Sequence, residues 1–182
     1  MPTPHDIAPR IIHAYRTRVA PVRGEVKGVS AAYDVQQHAV SIWRQRGRRV
    51  AGQKLGLTAK AVQEQLGVGE PDFGTPFTNM ILNSGAIIER GVVMQPRTEA
   101  EIAFVMKQDL AGSKIAPNTM IAATDYVVPA IEICGNRIAA WDIRIEDTIG
   151  RPHPYHATAA TKHQRLKVAV QHWRPSDRRA FP

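Results

Sequence analysis

The chain has 182 residues, 43% hydrophobic and 22% charged, with a net charge of +8. These proportions exclude a mostly disordered chain, a collagen and a coiled coil, and fit one domain of ordinary size, or one domain plus a tail. The charge is unevenly spread: residues 150–182 hold seven Lys/Arg and one acid, a balance of +6, which leaves +2 for residues 1–149. A whole-chain argument for a nucleic-acid partner therefore loses its force. No apolar run is long enough for a transmembrane helix, and the N-terminus lacks the basic-then-apolar pattern of a secretory signal. Cys134 stands alone, so no internal disulfide is available and a cytoplasmic location is expected.

In chain order, the apolar spacing of Ile7, Ile11, Ile12 and Tyr15 predicts a helix over residues 5–19, with Pro9 tolerable in its first turn. Ser30 is placed to cap a second helix over 31–46, with Ala32, Val35, Ala39, Ile42 and Trp43 as its apolar stripe. Residues 49–58 read as a strand ending in a Gly-rich turn, and 59–66 as a short helix. GVGEPDFGTP (67–76) reads as a loop built from Gly and Pro. FTNMIL and AIIER read as strands around an Asn83-Ser84-Gly85 turn. Residues 98–107 alternate as a strand, 117–125 suggest a helix opened by Pro117, 126–134 form an apolar strand, and 141–148 alternate again. Beyond Ile149 the sequence is basic, His-rich and broken by prolines, with RLKVAVQHW as one short strand or helix turn.

Five side chains stand out as carriers of chemistry. Residues two apart on a strand share a face, so Glu99 and Glu101 project side by side. Two carboxylates that close repel unless a cation lies between them, and a divalent metal is one solution. Two solvated acids on an edge strand are the other. Glu132 is a lone acid within the apolar run YVVPAIEIC. Burial demands a partner for it, either a metal or a base such as Arg137. Lys54 lies between glycines in GQKLG, where a ligand can approach the backbone closely; it could position a substrate carboxylate, move a proton, or simply be an exposed strand lysine. Asp72 sits in the loop reading of 67–76, where catalytic acids are often placed. Cys134 follows an apolar run and reads as a core thiol rather than a nucleophile.

The motifs GQKLGLT (52–58), VQEQLGVGEPDFGTPFTNM (62–80), QPRTEAEIAFVMKQDL (95–110), VVPAIEICGNRI (127–138) and DTI (147–149), in that order, closely resemble the 2-keto-4-pentenoate hydratases. These form part of the hydratase/decarboxylase family of the fumarylacetoacetate hydrolase superfamily. The resemblance covers roughly residues 1–149. It implies an α+β fold with a mixed, barrel-like β-roll core and N-terminal helices. The implied division is a helical segment at 1–47, a partial catalytic core at 48–149 and a basic tail at 150–182. It also implies a Mg²⁺ or Mn²⁺ site on Glu99, Glu101 and Glu132, with Lys54 and Asp72 as catalytic residues whose proton-transfer roles stay undivided.

The implied reaction adds water to 2-hydroxypenta-2,4-dienoate, giving 4-hydroxy-2-oxopentanoate in aromatic meta-cleavage catabolism. A homo-oligomer is implied, with a decarboxylase as a further partner. The competing activities on the same fold are the 2-oxo-3-hexenedioate decarboxylase and the acylpyruvate hydrolase; an inactive remnant or partner subunit is a third reading. The family continues past the Asp-Thr-Ile position with an Ala-Asp-Asn-Ala-Ser-like segment, whereas this chain reads Gly150-Arg151-Pro152-His153. A truncation or a change of reading frame near codon 149 is the expectation drawn from that break.

Overall fold

The computed structural model describes residues 2–17, 24–89, 91–112, 115–136, 138 and 141–150. The 151–182 segment, including RLKVAVQHW, and Arg137 lie outside the described residues. Two helices open the fold: α1 (Pro4–Thr17) and α2 (Val29–Gln45). Helix α1 starts at Pro4, one residue earlier than expected, and Pro9 lies inside it, past the first turn. Ser30 does not cap α2. Gly28, at φ 89°, holds that position without a side-chain bond, and Ser30 lies inside the helix.

The chain then alternates short elements: β1 (Lys54–Gly56), α3 (Lys60–Leu66) and β2 (Asp72–Gly74). The strand expected over 49–58 is thus only three residues long, and the expected loop contains β2. The hairpin expected from FTNMIL and AIIER does not form among the described residues. Thr78–Met80 make a single 3-10 turn, and Met80 turns into the core rather than alternating. Two longer strands follow, β3 (Arg97–Met106) and β4 (Thr124–Cys134), separated by α4 (Pro117–Ala123) with Pro117 at its first position.

The alternation at 141–148 misleads. Residues Ile145–Ile149 form helix α5, because Asp147 accepts the Arg144 backbone N–H at 3.2 Å and fixes the first turn. Ile145 and Ile149, four apart, share a helical face turned to the core around α2. Among the described residues no helix is long and apolar enough to cross a membrane.

The strands form two antiparallel ribbons, β1–β2 and β3–β4. The main apolar core gathers Ile7, Ile11, Val35, Trp43, Phe77 and Met80, and reaches Ile149. It therefore joins α1 and α2 to the rest of the chain instead of closing them off. Trp43 and Phe77 meet edge to face at 5.5 Å. One buried amide ties this core together: Gln36 Nε2 donates to the carbonyls of Phe73 (2.9 Å) and Ile149 (3.0 Å). The Tyr33 hydroxyl accepts the Phe73 N–H at 3.1 Å. Helix α2 thus holds the middle of β2 by both backbone groups of one residue.

In the β3–β4 ribbon, residues directly opposite share a face. One face carries Glu99, Glu101, Ala103 and Val105 against Glu132, Ala130, Val128 and Tyr126. The other presents Ile102, Phe104, Val127 and Ile131, all exposed.

Candidate active site

The site begins with register. In β1–β2, Gly56 opposes Asp72 and Lys54 opposes Gly74, so Lys54 and Asp72 share one face of a short ribbon. The end of β1 is held from two sides. Gln63 of α3 donates to the Leu57 carbonyl at 2.6 Å, and Leu57 itself is in the left-handed region, φ 56°. On the other ribbon, Glu99 and Glu132 stand directly opposite one another, and Arg97 opposes Cys134.

The ribbon's open end is braced nearby. Gln95, at φ 48°, donates from Nε2 to the carbonyls of Asn136 (3.0 Å) and Ile138 (2.8 Å). The Trp141 indole N–H donates to the Gln95 carbonyl at 3.2 Å, and the Arg97 guanidinium lies over the Trp141 ring at 4.1 Å.

An ion pair between the Lys54 ammonium and the Glu132 carboxylate joins the two ribbons. Glu132 is almost fully buried, and the expected need for a partner is met by Lys54; Arg137 lies outside the described residues. Burial works against the Lys54 charge, but the Glu132 carboxylate outweighs it by charge and hydrogen bond and holds the ammonium above its ordinary range. Asp72 is also buried, on strand β2 rather than on an open loop. Burial pushes its carboxyl up. The Lys54 charge offsets part of that rise, while Glu132 and Glu99 add to it. All four groups therefore act within one electrostatic field.

Glu99, Glu132 and Cys134 converge, each offering a donor atom within 4.8 Å of the other two. Glu101 shares their face but lies one pair further along, opposite Ala130, and is not in that group. Cys134 is buried. Burial, then the Glu132 charge, raises its thiol above the ordinary range, and its side chain hydrogen-bonds Glu99. The sequence placed Cys134 in the core but missed its place beside the carboxylates. The spacing of two from Glu132 on a strand was the available signal.

Opposed carboxylates across a strand pair are destabilising without a cation. Lys54 supplies one positive charge to Glu132, and Glu99 remains more exposed. Two hard oxygen donors facing one another fit a divalent ion.

No protein-family model matches the chain. Among curated proteins it is similar to the TodF product hydratase of Pseudomonas putida F1, 47% identical over 133 residues, which cover 72% of this chain and 50% of that protein. It is 41% identical over 133 residues to 2-keto-4-pentenoate hydratase 1 of Dechloromonas aromatica, covering 72% of this chain and 51% of the relative. A 2-hydroxypent-2,4-dienoate hydratase of Pseudomonas putida is 41% identical over 137 residues, covering 74% and 62%.

Among solved structures, the 4-oxalocrotonate decarboxylase of Pseudomonas putida G7, complexed with magnesium and adipate, superposes with a TM-score of 0.75 at 26% identity. The match covers 89% of this chain and 62% of that one. The complex of that enzyme with calcium and acetate gives a TM-score of 0.73. The chain spans about half the length of the first curated relatives it matches. Over the stretch that it shares with them, the chain is similar to the 2-keto-4-pentenoate hydratases in sequence and to the decarboxylase in fold.

Proposed function

We propose that this chain is a hydro-lyase of the 2-keto-4-pentenoate hydratase type, acting on 2-hydroxypenta-2,4-dienoate. The carrying observation is that Lys54 and Asp72 of one ribbon share an electrostatic field with Glu99 and Glu132 of the other, in a chain 47% identical to a hydratase over 133 residues. In this reading Glu99 and Glu132 hold a divalent ion, Mg²⁺ or Mn²⁺, and Glu101 supplies a third oxygen from the same face. Such an ion, when bound, polarises the carboxylate and C2 oxygen of the substrate as a Lewis acid.

The reaction needs a proton at C5, water oxygen at C4 and a proton at C3. Asp72, pushed up by burial, is suited to exchange protons with substrate and water. Lys54, held charged, supplies a fixed positive charge for the substrate carboxylate. The close packing around Asp72 and Glu132 keeps both from bulk water.

The same reading takes the two ribbons as parts of a mixed β-roll, with residues 1–47 as its helical flank, 48–149 as a partial catalytic core and 150–182 as a basic tail outside it. Self-association, and association with a decarboxylase partner, belong to it as well. A second reading, decarboxylation on the same fold, is favoured by the structural neighbours alone.

Ultraviolet decay of the dienoate on the folded chain, with Mg²⁺ and with chelator, tests the proposal. Metal-dependent decay to 4-hydroxy-2-oxopentanoate is expected. CO₂ release from a hexenedioate would move the assignment to the decarboxylase, and C–C cleavage to an acylpyruvate hydrolase. No turnover of any of these by a folded chain would recast it as a remnant or partner subunit.

A further inference from the structure

We propose that Arg97 is a further substrate-binding residue of this site, its guanidinium taking the carboxylate of the 2-hydroxydienoate and so setting the affinity for it. This rests on the reading above that Glu99 and Glu132 hold a divalent ion and that a 2-hydroxydienoate binds beside them.

Register puts Arg97 in place. It precedes Glu99 by two residues on β3, so it shares the face of the Glu99–Glu132 pair and stands about 7 Å further along the ribbon. It is the single basic residue of β3 and β4. It is exposed at the ribbon's open end, where a ligand can reach it.

The side chain is held without its donors being used up. The guanidinium carbon lies over the Trp141 ring, 4.1 Å from its centre. Contact through the ring face leaves the N–H groups, which lie in the guanidinium plane, pointing outward. Trp141 is fixed in turn by its indole bond to the Gln95 carbonyl, and Gln95 by its amide bonds to the carbonyls of Asn136 and Ile138. Trp141 (φ 57°) and Gln95 (φ 48°) both sit in the left-handed region, a costly conformation for side chains of that size, and both belong to the perch under Arg97.

Charge points the same way. Glu99, Glu101 and Glu132 are balanced by Lys54 together with a divalent ion. The substrate carboxylate then adds a negative charge without a counterpart, and Arg97 supplies one on the same face. Lys54 also attracts that carboxylate, but as a point charge already bound to Glu132. The planar guanidinium offers paired N–H donors that match two carboxylate oxygens.

The test uses the full-length chain loaded with Mn²⁺ and the unreactive analogue 2-oxopentanoate, which keeps the carboxylate and C2 oxygen but has no double bond to hydrate. Its dissociation constant and the Mn²⁺ affinity are read by equilibrium dialysis, beside KM and kcat for the dienoate. Arg97→Met should weaken the analogue and raise KM by about thirtyfold, with kcat within about threefold and Mn²⁺ held at least as tightly as before. Arg97→Lys keeps the charge without the fork and should show about a tenfold effect. Trp141→Leu removes the perch alone and should show about a fivefold one. Unchanged analogue binding in Arg97→Met, or loss of Mn²⁺ in step with the analogue, would overturn the inference and leave the hydratase reading standing. Wild-type affinity in Arg97→Lys decides in the same way should Arg97→Met not fold. Wild type that binds the analogue but turns over no dienoate would overturn the hydratase reading alone, since the variants still report on Arg97 through the analogue. No analogue bound by folded, Mn²⁺-loaded wild type would overturn both.

Discussion

The Oδ1 atom of Asp72 occupies the space that a side chain on Gly56 would need. The two residues are register partners in β1–β2, so the glycine is what lets the carboxylate lie flat across the neighbouring strand. The backbone of Gly56 is not left-handed, and the requirement is purely one of room. Gly56→Ala is therefore expected to push Asp72 out of place and lower dienoate turnover by about a hundredfold. Circular dichroism should show the helices unchanged. A fully active Gly56→Ala variant would mean that Asp72 has no part in the chemistry.

The Lys54–Glu132 pair joins two ribbons, and one partner cannot be removed without exposing the other to a dry surrounding. Lys54→Met should destabilise the metal-free chain by about 3 kcal/mol in urea unfolding. Adding Glu132→Gln to it should recover much of that loss, since the buried charge disappears. A simple sum of the two single effects in this double-mutant cycle would show that the pair is not coupled.

Asp72 gives a pH dependence with a definite sign. Its folded carboxyl is raised, chiefly by burial, above the ordinary aspartate value of 3.8. Its favourable contribution is therefore fully present below that value and is lost as pH rises through the higher folded one. Asp72→Asn removes this loss. The variant should gain stability relative to wild type as pH rises above 3.8 through the folded value, while losing turnover. Denaturation midpoints across pH check the first half, and the dienoate assay checks the second. A constant stability difference at every pH would show that Asp72 titrates as it does in the unfolded chain.

Helix α2 positions β2 by hydrogen bonds to Phe73, next to Asp72. Gln36→Leu strips a donor from two carbonyls at once and should destabilise the chain by about 3 kcal/mol. Tyr33→Phe removes a single acceptor and should cost about 1 kcal/mol. Urea titrations of both variants measure the difference. Equal effects would mean that the amide bridge holds no more than the phenol does.

Much of this was readable from residue order. The stripe of Ala32, Val35, Ala39 and Trp43 marked the buried face of α2, and the alternation around Glu99 and Glu132 marked two strands. The lone acid in an apolar run signalled a buried charge with a partner, because desolvation leaves few other outcomes. The partner's identity was not readable: Lys54 and Glu132 are brought together by the meeting of two ribbons, and no local pattern encodes that. The alternating 141–148 segment became helical because a tertiary core accepts Ile145 and Ile149, and period-two and period-four spacing cannot be told apart over so short a run. The three-residue strand at Asp72 was hidden in a Gly- and Pro-rich stretch, where its pairing with β1 and its bonds to α2 decide the conformation. Gln36 gave no signal at all, since a polar residue on an apolar stripe reads as an exposed edge until its acceptors are known.

The Gln36 amide also bears on the order in which the chain is made. Its two acceptors lie 37 and 113 residues downstream. During synthesis the α1–α2 pair leaves the ribosome first, yet its buried amide has only solvent to bond until Phe73 arrives. It acquires its second acceptor only when Ile149 has emerged. The helical pair therefore serves as a waiting platform rather than a finished unit. The backbone beside Asp72 can take its bonds from Gln36 and Tyr33 as soon as Phe73 has emerged, and the bond of Gln36 to Ile149 is added last.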